Sequence, residues 1–135
     1  MTTGARIATA VRILLAFAVG AAVGVVGAFL HSSVLLLAGI PWPTGLVLAL
    51  GLFAVGLVHA ARMEGPTGVW ACSSGWILAV LVLSWPRAAG DIVIPGTWYG
   101  YAFLGLGFLV GLGPLVTAWW RRQGPEPSAA GAVRR

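Results

Sequence analysis

Few side chains in this 135-residue sequence can do chemistry. The acids are Glu64, Asp91 and Glu126. The bases are arginines without a single lysine, together with His31 and His59, and Cys72 is the sole thiol. His31-Ser32-Ser33 with Asp91 contains the residue types of a hydrolase triad. A triad also needs a nucleophile held against the imidazole and donors for an oxyanion, and no motif here positions either. His31 and His59 fall at opposite ends of apolar runs, so they make no metal pair. His59 belongs at the end of its run, close to Arg62, in a structural role. A lone cysteine excludes an internal disulfide, a CxxC redox pair and a thiolate zinc site. With no basic neighbour to lower its pKa, Cys72 reads as a small buried hydrophobe. We therefore expect no catalytic residue, no metal, no cofactor and no enzyme.

The composition places these residues in lipid. Hydrophobic residues make up 59% of the chain and charged ones 8%. A soluble domain carries roughly a quarter charged residues, so these charges are too few to coat a globule in water. The net charge of +5 does not point to nucleic acid, because the arginines sit at the edges of apolar runs rather than on one face. At such edges arginine sets membrane orientation. Arginine without lysine, with abundant Ala, Gly and Val, also suggests a GC-rich bacterial genome.

A bilayer core of ~30 Å needs about 20 apolar residues in a helix. Four runs qualify, at about 13–30, 44–61, 69–85 and 98–120, and no charge interrupts any of them. The expected fold is an all-α membrane protein, an antiparallel bundle of four transmembrane helices. Residues 1–12 form a cytoplasmic N-terminus, 13–120 the transmembrane domain and 121–135 a disordered cytoplasmic tail. With both termini inside, Arg6, Arg12, Arg62, Arg121, Arg122, Arg134 and Arg135 face the cytoplasm and only Arg87 faces out, which the positive-inside rule favours. Trp42, Trp85 and Trp98 then lie at outer helix ends and Trp70, Trp119 and Trp120 at inner ends, as interfacial rings do. Trp76 lies within the third run and belongs between helices, where its indole N–H needs a partner. The first run follows a basic segment, but it exceeds the usual apolar core of a signal peptide and is expected to stay uncleaved. Val34 to Ile40 is a helical extension or a segment in the interface, ended by Pro41-Trp42-Pro43. Arg62, Glu64, Gly65 and Pro66 form a short polar turn.

Ionisable groups within a membrane mark ion or proton pathways, and none stands at mid-depth here. A proton-coupled exporter of the small multidrug type needs a membrane carboxylate, which is absent, and the polar motifs of a fluoride channel are missing. The outer connection from Trp85 to Thr97 holds the two outward charges, Arg87 and Asp91. With Gly90, Pro95 and Gly96 it forms the candidate partner-contact loop. Small residues let helices approach in lipid: Gly20 and Gly24 in the first run, Gly75 in the third, Gly107 and Gly111 in the fourth. Pro114 should bend the fourth helix near 110–112.

The run Pro86-Arg87-Ala88-Ala89-Gly90-Asp91-Ile92-Val93-Ile94-Pro95-Gly96, then Gly100-Tyr101 and a Gly-rich last helix, resembles an uncharacterised actinobacterial family of small four-span membrane proteins. Trp42-Pro43 followed by residues 45–50 is similar to it too. The resemblance implies four helices in the plasma membrane, and no activity. The expected function is that of a non-enzymatic accessory or assembly subunit. Its partners are the lipid bilayer and a membrane protein or a second copy of the chain. The alternative is a small pore or carrier for an uncharged solute.

Overall fold

The computed structural model describes residues 2–85, 94 and 96–122, with the backbone alone for 115 and 117–122. The chain is mostly helical: α1 spans Thr3–Leu30, α2 spans Thr44–Ser84 and α3 spans Trp98–Arg122, with a hairpin of β1 (Leu35–Leu37) and β2 (Ile40–Trp42) between α1 and α2. The helix α1 begins at Thr3, well ahead of its uninterrupted apolar run. Both α1 and α2 are long and apolar enough to cross a membrane, with mean hydropathies of 2.6 and 2.0 over their most apolar windows.

A straight helix of the length of α2 would extend about 60 Å. Instead α2 folds back on itself at Glu64 (φ −135°) and Gly65 (φ 58°, ψ −141°). Only glycine enters that backbone region without strain, and Pro66, with its preset φ, restarts the helix. The reversal makes two antiparallel limbs, 44–63 and 66–84. Their apposition is plain from Phe53 and Trp76, whose rings stack at 4.8 Å across the limbs, and from Gly68, whose Cα faces the Ala60 carbonyl.

The segment after α1 is not a helical extension but a β-hairpin. β1 and β2 pair antiparallel, with Leu35 opposite Trp42 and Leu37 opposite Ile40. Ala38 (φ 51°) and Gly39 (φ 80°) form the turn, and two positive φ values in succession match the twist of a two-residue hairpin. Every residue of both strands is exposed. The hairpin is anchored by Gly45, whose N–H donates to Ser33 O at 3.0 Å. A Cβ at Gly45 would collide with the Leu30 carbonyl.

The interior of the bundle combines small residues and aromatic rings with aliphatic side chains such as Leu46, Leu57, Val80 and Leu83. On α1 the buried positions are Gly20, Gly24, Gly27 and Ala28. Gly20 and Gly24 face the second limb of α2, where Cys72, Gly75, Trp76 and Ala79 are buried, and Gly27 meets Phe103 of α3 and Ala49 of the first limb. The outward faces carry Leu14, Leu15, Val47, Val55, Leu81 and Leu109, all more than half exposed. α3 packs on α2 through buried Phe103, Gly107 and Gly111, and runs on through Pro114.

These contacts make glycines unequal. A Cβ at Gly20 would meet the Cys72 backbone, whereas one at Gly51 would meet nothing within 4 Å. Gly20→Ala should destabilise the bundle by about 1–3 kcal/mol through overpacking. Gly51→Ala should stabilise it by about 0.5–1 kcal/mol through helix propensity. Unfolding titrations in detergent measure both.

Candidate functional site

The proposed outer contact loop lies largely outside the described residues: Arg87, Gly90, Asp91 and Pro95 belong to that part. Gly96 is exposed, with the Tyr101 hydroxyl 3.3 Å from where a Cβ would project. Ile94 is buried in the apolar core, so at that point the connection lies on the bundle. Thr97 caps α3, its Oγ1 accepting from Gly100 N–H at 3.4 Å. The tail 123–135, expected to be disordered, also lies outside the described residues.

The glycines singled out in the sequence all occupy interhelical contacts. Gly20 abuts the Cys72 backbone, and Gly75 abuts the Phe17 backbone from the other side. Gly24 meets Ala79 and Trp76 at 3.0 and 3.1 Å from an added Cβ. Gly107 lies against the Trp76 ring, and Gly111 lies beside Phe53 and Ser73. Their faces are therefore occupied within one chain.

A run of aromatic rings fills the space these glycines leave. His31 stacks on Phe103 at 5.1 Å, Trp76 tilts onto Phe103 at 5.5 Å, and Phe108 meets Trp76 edge-on at 5.9 Å. His31 is 1% exposed, a depth that its place beside two serines did not suggest. Its Nδ1 lies 2.8 Å from Ala28 O. A carbonyl only accepts, so Nδ1 carries the proton and a neutral ring leaves Nε2 an acceptor. Among the described residues neither His31 Nε2 nor Trp76 Nε1 finds a partner. Trp76 packs between helices, as its place within an apolar run implied.

Two clefts border these elements. One, of about 160 Å³, opens between the two limbs of α2 and α3, lined by Phe53, Ser73, Ser74, Trp76, Gly107 and Phe108 among others. Ser73 Oγ is turned to Gly111 O at 3.4 Å, which leaves that cleft almost wholly apolar. The other, of about 90 Å³, lies between α1 and the first limb of α2, lined by Arg12, Leu15, Ala16, Val19, Gly56, His59, Ala60 and Met63. Arg12 Nη1 lies 3.3 Å from Glu64 Oε1. This pair joins α1 to the reversal of α2 across 52 positions of sequence, and no local motif announced it. His59 is exposed and also borders a shallow depression with Arg62. Among the described residues no three of His, Cys, Asp and Glu converge on a metal-sized space.

Cys72 is wholly buried, under Gly20 and beside Gly56. A maleimide should therefore leave it unlabelled in the folded bundle and modify it fully after denaturation in SDS. Rapid labelling before denaturation would show that α1 does not cover it.

Among known proteins, the model of a family of unknown function, DUF6113, matches residues 1–130. No curated protein and no solved structure matches the chain.

Proposed function

The chain belongs to the family of unknown function DUF6113, and from that footing we propose that it is a four-span plasma-membrane protein acting without catalysis, as an accessory or assembly subunit. In this reading α1, the two limbs of α2 and α3 each cross the bilayer, and both termini lie in the cytoplasm. Support for lipid comes from α1, whose buried stripe holds only glycine and alanine while its large aliphatic side chains, Leu14 and Leu15 among them, face outward. Helices in a bilayer associate by close packing rather than by hiding apolar surface, and that is the interior found here. Arginine without lysine points to a GC-rich bacterial genome, with which the proposed actinobacterial origin agrees.

One observation carries the association reading. The face of α3 turned away from the bundle presents exposed Tyr101, Gly105, Leu109, Leu112 and Val116. At Gly105 and Gly113 nothing lies within 4 Å of an added Cβ. A neighbouring helix can approach that backbone closely, whether from a second copy or from another membrane protein. Arg87 and Asp91 are the proposed polar contacts of the same association at the outer end. The small apolar cleft beside Trp76 favours a second reading, a carrier for an uncharged solute.

Purification from native membranes in a lipid-preserving polymer, with mass analysis of everything retained, tests the first reading. It expects a stoichiometric partner or a defined homo-oligomer. Gly105→Leu should lower recovery several-fold, while Gly51→Leu, equally open on α2, should leave it unchanged. Recovery of a lone monomer contradicts association and moves liposome flux of uncharged solutes to the front.

A further inference from the structure

The inner cleft combines three features that one class of ligand would need together. Its floor is apolar and lies along α1 at Leu15, Ala16 and Val19, facing Gly56 and Ala60 of α2. Leu15 is 59% exposed, so the groove is continuous with the outward apolar surface. Its mouth is cationic. Arg12 comes from α1, His59 borders both this groove and the neighbouring depression, and Arg62 lines that depression one helical turn on. The third feature is depth. Arg12 marks the end of the uncharged run of α1, and the reversal of α2 beside it puts Arg62 and Glu64 at the same level.

The charges at this mouth are not balanced internally. Glu64 is the carboxylate that faces them among the described residues, and it holds Arg12 through a single 3.3 Å contact. The Arg12 side chain remains 52% exposed, so it retains donors for a further anion. Among the described residues Arg62 has no ion-pair partner. Basic pockets between helices on the cytoplasmic side suit anionic lipid head groups. A zwitterionic lipid brings its own cation to the same mouth and gains less there.

We propose that this groove holds one anionic phospholipid of the inner leaflet. Its phosphate sits at Arg12, His59 and Arg62, and one acyl chain lies along Leu15, Val19 and Gly56. Gly56 keeps the groove open: an added Cβ would sit 3.6 Å from Val19 Cγ1, so a larger side chain would occupy the space of the acyl chain. Glu64 does not touch the lipid: it occupies one donor of Arg12 and so competes with the phosphate for that guanidinium. The inference rests on the reading that the chain spans a membrane, and not on its association with a partner.

The test uses the full chain in nanodiscs made from equal parts phosphatidylglycerol and phosphatidylcholine, followed by native mass spectrometry. One phosphatidylglycerol should be retained per chain in preference to phosphatidylcholine. Arg12→Gln and Arg62→Gln should each lower that preference about fivefold. Glu64→Gln should keep it at or above the wild-type level, since it frees a cation without removing one. Excess inorganic phosphate should not displace the lipid, because it has no chain to fill the groove. Equal retention of both lipids by the wild type would overturn the proposal. So would a loss in Glu64→Gln as large as in Arg12→Gln, which would make the arginine's role purely structural. Arg62→Gln changes an exposed side chain without a partner, so its result does not depend on the fold surviving. Absence of lipid preference in a chain that is fully inserted would sink the lipid site and leave the spanning reading intact.

Discussion

The approach of α1 to the second limb of α2 governs the rest of the structure. Gly20 lies on the backbone of Cys72, and Gly75 lies on the backbone of Phe17. Two helices each contribute a glycine to the other's main chain, so the contact has no side chain that could shift to make room. Once the backbones are this close, the surrounding space is settled. Trp76 cannot point toward α1 beside Gly24, so its ring spreads between Phe53, Phe103 and Phe108. Gly107 gives α3 the clearance to lie against that ring. The aromatic interior thus follows from where side chains are missing.

The two ends of the bundle are built differently. At the end holding Arg12, the chain reverses at one glycine between two helical limbs, and the Arg12–Glu64 pair ties that reversal to α1. An ion pair that is half exposed is worth about 1 kcal/mol or less, so it orients more than it stabilises. At the other end the connection is longer and apolar. The β-hairpin displays leucines and Trp42 on its surface, and Trp85 and Trp98, next to the end of α2 and at the start of α3, are exposed too. A two-stranded hairpin is marginal in water on its own. An interfacial setting of lipid and aromatic rings would cover what the chain leaves bare.

Much of this was legible in the sequence, because the strongest signals were local. Gly65-Pro66 between two apolar runs marks the reversal of α2, since only glycine takes that backbone conformation and proline restarts a helix. Trp76, within an apolar run rather than at its edge, reads as an interhelical ring. The hairpin was not legible. Val34 to Leu37 shows no alternation of polar and apolar residues, and Ala38-Gly39 lacks the Asn-Gly or Asp-Gly chemistry that announces such a turn. Nor was the burial of His31, which depends on Phe103 arriving from a distant helix. The Arg12–Glu64 pair and the cationic groove are likewise products of folding, made by residues far apart in the chain.

The central claim is that α2 returns across the membrane, so that its reversal lies on the same side as Arg12 and opposite the end of α1. Cysteine labelling on a Cys72→Ala background tests it most directly, with Ser33→Cys and Thr67→Cys each probed by a membrane-impermeant maleimide. The account expects Ser33→Cys to react in intact cells and Thr67→Cys to react only after permeabilisation. Reaction of both from outside would contradict it, as would a Thr67→Cys that stays unreactive in opened membranes, the result expected of one long unbroken helix.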